Sequence, residues 1–477
     1  MLDLENWCRP SVLERRKEID RLVKHFIGVA LLFLSMTTVL AQKVVKITDS
    51  EARNPAEVSI AINPKNPDNI VAVSFQSGPP QGPLASSFNY VTIDGGKSWK
   101  TIPAPDRTAL TQGDDAVSFG NDGMVYHAHL AFEGIRVARP RRAENGIFVE
   151  SSNDGGLTWN ESVPAINHVN SVEPFEDKPF IVVDNALDSP HKGALYMAWT
   201  RFDIYGSSSP DCHSHIYFSR SIDKGKTFTV PIRISDATGD CRDSDDTVEG
   251  AAPAVGPNGE IYIVWSGSRG LVFKKSLDGG LTFSREKVIG ETPGGWDFPV
   301  TGLDRANGMP VTGVDLSSGP NKGTLYVNWI DARNGDPDVF VMSSRDGGES
   351  WSVPVRVNDD PVRNGKVQFF TWMAVDPADG SVNTVFYDRR DTEGAMTKVT
   401  MARSVDGGRK FNNRAIDLPA FNCSANLFFG DYSGISAING LVVPVFMHVE
   451  TNGKLAVSVA IFHFKPGSMT LMGSTPQ

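Results

Sequence analysis

The sequence predicts an all-β chain in which four-stranded antiparallel units repeat around a ring, the β-propeller architecture. Three observations predict it. One turn motif recurs six times, short apolar segments precede each copy, and no stretch after residue 41 keeps helical periodicity for more than about two turns. The motif aspartates are 55 to 69 residues apart. Four short strands repeated at a period of this order are typical of propeller blades.

The recurring motif is Ser/Thr-x-Asp-x-Gly-x-Ser/Thr followed by Trp or Phe. Its Asp-Gly and Gly-Gly steps supply the positive φ angles of a tight hairpin, and its carboxylate can accept hydrogen bonds from turn amides. Each motif is therefore predicted to join the third and fourth strands of a unit, with the aspartates as turn formers and not metal ligands. They are Asp94, Asp154, Asp223, Asp278, Asp346 and Asp406. In the sixth copy Lys410 replaces the Ser or Thr.

The number of blades follows from the two ends of the chain. After the sixth motif, residues 430–464 contain three further predicted strands and no motif. The segment Lys43–Thr48 is a spare strand that would complete this unit and close the ring, which removes exposed sheet edges. We predict seven blades, with six as the alternative.

Residues 1–41 are predicted to be a signal peptide. Phe26–Leu40 is an uncharged, mostly apolar run of 15 residues, shorter than the roughly 20 that a spanning helix needs. Val39 and Ala41 are small residues placed for cleavage before Gln42. An uncleaved anchor is the alternative. We expect the propeller domain over 42–477, without a membrane span, in the periplasm, outside the cell or at its surface.

Composition excludes some partners and leaves others open. The net charge of −10 and the absence of a Lys/Arg-rich run exclude duplex nucleic acid. In an oxidising compartment Cys212 and Cys241 are the natural disulfide pair. The acidic loop 236–246 does not match the spacing of the twelve-residue calcium loop, so we interpret it as a solvated loop, with Ca²⁺ as the alternative. No other cofactor is expected.

Polar residues gather at the strand ends opposite the predicted motif face. The second strands end near His127, His129, Arg269, Arg333, Arg389 and Arg390, and the first strands begin near Glu57, Asp114, Asp115, Asp177, Lys178, Glu249, Asp304, Asp431 and Tyr432. Converging from different blades, these side chains would line one central concavity. Ordinary salt bridges between blade ends are the alternative interpretation.

The six motifs resemble the Asp-box (BNR) repeats of sialidases and related β-propellers, over nearly all of residues 43–465. The segment around Tyr432 resembles the one that carries the nucleophilic tyrosine of sialidases, and the segment after Glu249 resembles the one that carries its glutamate partner. The resemblance implies a catalytic Tyr432 polarised by Glu249. No Asp lies between Asp68 and Asp94, where the family has its acid, so Asp115 is the candidate acid. The implied substrate-binding arginines are Arg53, Arg269, Arg333, Arg389 and Arg390.

These observations lead to three functional hypotheses. The first is an exported sialidase-like glycoside hydrolase, or a related glycan-active protein, that binds an acidic or neutral sugar as a monomer. The second is a non-catalytic propeller that binds a glycan or a protein, so whether the chain is an enzyme stays open. The third is a lyase acting on uronic-acid polymers, for which His127 and His129 would be suitable groups.

Overall fold

The computed structural model describes residues 42–78, 82–105, 110–135 and 142–472. The predicted signal peptide lies outside the described residues. Residues 42–471 form one compact unit. The described residues form 29 strands and no α-helix, so the all-β prediction is confirmed. The described part of the chain contains no helix long and apolar enough to cross a bilayer.

Seven antiparallel sheets of four strands each make the blades, and blade 6 has one additional short strand. Blades 1 to 3 consist of β2 (Ala56–Ile62), β3 (Ile70–Ser77), β4 (Ala85–Thr92), β5 (Lys100–Pro103); β6 (Thr111–Phe119), β7 (Val125–Glu133), β8 (Glu144–Ser152), β9 (Val163–Val169); and β10 (Phe175–Val183), β11 (Leu195–Phe202), β12 (Ser214–Ser221), β13 (Ile232–Arg233). Blades 4 and 5 consist of β14 (Glu249–Val255), β15 (Ile261–Gly267), β16 (Gly270–Ser276), β17 (Lys287–Gly290); and β18 (Val311–Val314), β19 (Leu325–Asp331), β20 (Asp338–Ser344), β21 (Val355–Arg356).

The last two blades include the ring closure. They consist of β22 (Gln368–Val375), β23 (Val382–Asp388), β24 (Met396–Ser404), β25 (Asn412–Ala415), with β26 (Phe421–Asn422) paired to β24; and β27 (Gly434–Ile438), β28 (Leu441–Val449), β29 (Leu455–His463), with β1 (Lys43–Lys46). β1 pairs antiparallel with β29, with Lys43 opposite Ile461. The spare N-terminal strand therefore completes blade 7, as predicted, and seven blades are confirmed. The first strands of neighbouring blades pack against one another all round the ring, between blades 7 and 1 as well.

The six motifs form the predicted hairpins between third and fourth strands. In the first, the Asp94 carboxylate accepts the Lys97 and Ser98 amides, and its Oδ2 accepts the Ser98 hydroxyl at 2.6 Å. These bonds to Ser98 lower the pKa of Asp94. Five copies share the hydroxyl bond to Oδ2, at 2.5 to 2.6 Å. In the sixth copy, Asp406 Oδ1 accepts the amides of Arg409 and Lys410, and the lysine side chain at position 410 has no hydroxyl group to donate to Oδ2.

The motif hairpins define one face of the ring. The Gly95 amide donates to the Asp68 carbonyl at 2.9 Å, so the turn between the first two strands of blade 1 lies on the same face. On this face the axis opens into a cavity of about 700 Å³ with a mostly apolar lining that includes Ile62, Val183 and Val375. The polar ends of the first strands therefore meet on the opposite face.

Candidate functional site

A repeated backbone irregularity positions the polar groups at the axis. The first strand of five blades is bulged near its start, at 56–59, 113–116, 177–180, 249–252 and 369–372. Residues at these bulges have positive φ, +55° at Glu57, +53° at Asp114 and +50° at Lys178. This conformation is costly for residues other than glycine, and it persists where the surrounding structure imposes it, commonly at functional sites.

We call the resulting cluster the axial polar layer: Glu57, Asp114, Asp177, Lys178, Asp243, Glu249, Arg305 and Asp431. Lys178 is its centre. The Lys178 Nζ lies 3.1 Å from Asp177 and 3.4 Å from Asp243, Glu249 and Asp431. Blade 3 supplies Lys178 and the start of blade 7 supplies Asp431, so this contact spans the axis. The predicted convergence of the first-strand residues is therefore observed.

Two loop residues cover the axial polar layer from outside. Arg305, in the loop before β18, pairs with both Asp243 and Asp431 and lies over the Phe428 ring at 5.4 Å. The Tyr205 hydroxyl donates to Asp243 at 3.2 Å. The Arg305 side chain is 30 % exposed and that of Asp243 is 12 % exposed. Sequence reasoning named neither Arg305 nor Tyr205 as a site residue. Neither residue occupies a position that repeats from blade to blade. Of their neighbours in the sequence, only Asp304 was named as a candidate.

Burial separates the pKa values of the axial carboxyl groups. For Glu57, burial and the nearby Asp431 charge raise the pKa to about 7. For Asp177, burial outweighs the attraction of Lys178 and raises the pKa to about 8. Burial also acts on Asp243, but Lys178 and Arg305 outweigh it and hold its pKa well below the usual range. The layer therefore contains both protonated and ionised carboxyl groups near neutral pH.

Beneath the polar layer, three aromatic rings close the axis. The ring centroids of Phe180, Trp372 and Tyr432 are 5.3 to 5.7 Å apart pairwise. Blades 3 and 6 are not neighbours in the ring, so the contact between Phe180 and Trp372 crosses the axis. This aromatic plug separates the polar layer from the apolar cavity on the other face.

Tyr432 is 2 % exposed and lies where the plug meets the polar layer. Burial raises the pKa of its phenol well above the usual range, and Glu57 is the charged neighbour with the largest effect, followed by Asp114 and Asp115. Glu249 instead binds Lys178 through Oε1. Among the neighbouring charges, Glu57 therefore acts most strongly on Tyr432, whereas Glu249 is bonded to Lys178.

Asp115, the candidate acid, is enclosed with a histidine. Its Oδ1 lies 2.6 Å from His127 Nε2, and both side chains have no exposed surface. Next to this pair, His129 Nε2 lies 2.8 Å from Glu150 Oε1, also buried. Burial opposes a charge on His129, but Glu150 outweighs it and raises the pKa of His129 to about 9. Both histidines are buried and bonded to carboxylates, and the lyase hypothesis stays a prediction.

The five predicted arginines do not meet at the axis. Arg53 donates to the Ser77 carbonyl and Arg269 lies 3.8 Å from Glu286, both on the exterior. The others are held at the blade ends by neighbouring groups. Arg333 pairs with Asp331, Arg390 pairs with Asp388 and Asp359, and Arg389 donates to Thr397, Gly394 and Thr301. Among the described residues none of the five makes an ion pair or hydrogen bond with the axial polar layer.

The acidic loop and the predicted cysteine pair lie beside the polar layer. Cys212 and Cys241 form a disulfide with a Cα–Cα distance of 5.6 Å, and Cys423 is free and buried. Cys241 lies two residues before Asp243, so the disulfide anchors the segment through which Asp243 reaches the axis. The other acidic residues of loop 236–246 turn elsewhere: Asp236 pairs with Lys274, and Asp245 accepts backbone amides.

Solved structures with a similar architecture include glycosidases. An α-L-arabinofuranosidase from Fusarium graminearum, in complex with an iminosugar inhibitor, is 13% identical over 89% of this chain and 98% of that chain, with a TM-score of 0.48. A Hadza microbial sialidase is 16% identical over 80% of this chain and 73% of that chain, with a TM-score of 0.47. The intramolecular trans-sialidase from Ruminococcus gnavus is 13% identical over 89% and 97%, with a TM-score of 0.42.

No protein-family model matches the sequence, and no curated protein matches it.

Proposed function

We propose that this propeller is a glycoside hydrolase whose site is the axial polar layer, with Glu57 as its acid and base. One observation carries the proposal: a buried carboxyl group with a pKa of about 7 lies beside a buried tyrosine at the axis. A carboxyl group in this range can hold a proton at neutral pH and still release it to a substrate, as a general acid requires.

Glu57 would give its proton to the glycosidic oxygen as the bond to the sugar breaks. Water would then add to the anomeric carbon and return a proton to the Glu57 carboxylate, which restores the starting state. The transition state of this reaction has oxocarbenium character and carries positive charge. The ionised carboxylates of the polar layer would stabilise that charge. Tyr432, whose main charged neighbour is Glu57, would contact the same sugar.

The pairing of the cations in the layer favours a neutral glycan over a sialoside. Both cationic side chains, Lys178 and Arg305, are already paired with carboxylates. A substrate carboxylate would therefore meet no free guanidinium, whereas recognition of such a group uses unpaired arginines. Sialidase-type activity would need arginines that the structure holds elsewhere.

Substrate access requires a change at the mouth of the site. Arg305 covers the layer through its ion pairs with Asp243 and Asp431, and its partly exposed side chain can turn outward beside Phe428. Closing side chains of this kind exclude water between turnovers. Export, which the signal-peptide prediction implies, agrees with the Cys212–Cys241 disulfide, since such bonds persist in oxidising compartments.

The test is an assay of the purified protein on neutral aryl glycosides and an aryl sialoside, with Glu57→Gln, Tyr432→Phe and the exposed control Glu161→Gln. We expect turnover of a neutral glycoside. Glu57→Gln should lower kcat at least about 100-fold, the contribution of a general acid, while Glu161→Gln leaves it unchanged.

Three results would contradict the proposal: turnover of the sialoside alone, full activity of Glu57→Gln, or no turnover of any glycoside by folded protein. In the last case, binding on a glycan array would favour the non-catalytic glycan-binding propeller.

A further inference from the structure

One aromatic ring stays in water at the mouth of the axial polar layer. Of the phenylalanine, tyrosine and tryptophan side chains in the described residues, only that of Phe428 is exposed, with 39 % of its surface accessible. Single exposed apolar residues are common on proteins, so the location of this ring decides its meaning. The Arg305 guanidinium, which covers the layer, lies over the ring at 5.4 Å. The ring therefore lies beside the proposed site.

The segment that carries Phe428 also reaches the centre of the site. Two residues later, Gly430 packs so closely on the proposed acid that an added Cβ atom would lie 2.3 Å from Glu57 Cγ. The next residue, Asp431, belongs to the axial polar layer, and Tyr432 belongs to the aromatic plug. This close packing therefore holds the backbone next to the exposed ring beside Glu57.

Phe75 supports the Phe428 ring from blade 1. The two ring centroids are 6.3 Å apart, and the ring planes are 28° from parallel. Phe75 is half-buried near the end of β3, where it lies opposite Ala56, the residue before Glu57. A Cβ atom added at Gly113 of blade 2 would be 3.7 Å from its ring. We call the two stacked rings the phenyl platform; the strands that hold it also carry the proposed acid.

We propose that the phenyl platform binds the apolar C–H face of a sugar ring in a neutral glycan, an inference that rests on the proposed function. Small-molecule sites combine aromatic side chains with a few polar groups. Here Asp243 and Arg305 are the partly exposed polar groups, and they would bond the hydroxyl groups at the edge of the sugar. A purely apolar ligand would leave them without partners. When Arg305 turns outward to open the site, it also uncovers the Phe428 ring.

NMR titration of the protein with the methyl glycosides of glucose, galactose, mannose, xylose and arabinose tests the proposal. These probes have no aromatic group of their own, and spectra are recorded in the cold, where turnover is slow. We expect at least one probe to bind with upfield shifts of its C–H protons, because an aromatic ring current shields protons above the ring face. Phe428→Leu keeps an apolar side chain without the ring. It should raise the Kd at least about fivefold and remove these shifts, whereas Phe428→Tyr should bind like the wild type.

Leu277→Ala is the matched control, because it truncates an exposed apolar residue of the fourth motif on the opposite face. It should bind like the wild type. Circular dichroism establishes that each variant is folded, and the shifts with the wild type decide if Phe428→Leu does not fold. An unchanged Kd in folded Phe428→Leu, binding without upfield shifts, or no binding of any probe would overturn the proposal.

Turnover of neutral aryl glycosides separates the platform from the proposed hydrolase mechanism. If Glu57→Gln stays fully active while Phe428→Leu binds sugar more weakly, the assignment of the acid is wrong and the platform is retained. If Glu57→Gln is inactive while Phe428→Leu keeps the wild-type KM and Kd, the platform is wrong and the acid is retained.

Discussion

Replacing Glu57 by glutamine should make the protein more stable at alkaline pH. Glutamine keeps the shape of the side chain and stays neutral at every pH. In the folded protein, burial and the charge of Asp431 raise the pKa of Glu57 from 4.5 to about 7. The folded state therefore binds this proton more tightly than the unfolded chain does, and the stability that it provides is lost as pH rises from 4.5 to about 7.

The expected effect follows from that rise. A tenfold change in proton affinity corresponds to about 1.4 kcal/mol, so the change from 4.5 to about 7 is worth about 3 kcal/mol. Relative to the wild type, Glu57→Gln should gain roughly this free energy of unfolding between pH 4 and pH 8. Substituting an active-site group often exchanges function for stability in this way.

Urea denaturation at pH 4 and at pH 8, followed by tryptophan fluorescence with a chelator present, measures the difference. Glu161→Gln removes an exposed carboxyl group and should show no such dependence. If the stability difference between Glu57→Gln and the wild type is the same at both pH values, Glu57 is ionised normally in the folded protein and its role as an acid is refuted.

Three further outcomes follow from other contacts. Lys410→Thr should stabilise the protein by about 1 kcal/mol, because it gives Asp406 the hydroxyl bond that the other five hairpins have; an unchanged urea midpoint would contradict this. Replacing Cys212 and Cys241 by serine opens a loop with a sequence separation of 29 and should cost about 3–4 kcal/mol, measured against wild type without reductant. Wild-type stability should fall as pH rises from 6.5 to about 9, because His129 loses its charge over this range. This fall should be smaller in His129→Gln. If the stability of the two proteins changes with pH in the same way, the pair with Glu150 does not form.

The repeats in the sequence were sufficient to predict the blades and the face on which the polar ends of the first strands meet. Each motif turn forms its own hairpin through bonds within about five residues, so its structure is local and readable from sequence. The closure by Lys43–Thr48 was also predictable, since an unpaired strand and a three-stranded unit are complementary. The sequence likewise indicated that Lys178 and Asp431 point to one centre, because both lie near the start of a first strand.

The partners within that centre were not predictable. The resemblance to sialidases implied Glu249 as the partner of Tyr432. In the structure Glu57 is the charge that acts most strongly on Tyr432, and Glu249 accepts a hydrogen bond from Lys178. Chain position cannot distinguish these alternatives, because every blade contributes a residue to the same axis. Of the implied arginines, Arg333 and Arg390 pair instead with the aspartates two positions before them, Asp331 and Asp388.

By itself the sequence determined the architecture: an all-β ring of repeated hairpins, closed by its N-terminal strand. Local turn chemistry and strand alternation act over a few residues, and their repetition determines the overall fold. Only the tertiary structure decided which charges meet, that Arg305 covers them from a loop, and that His127 and His129 are enclosed. Those facts depend on burial and on contacts across the axis between residues more than a hundred positions apart, and burial sets the pKa values on which the proposed chemistry depends.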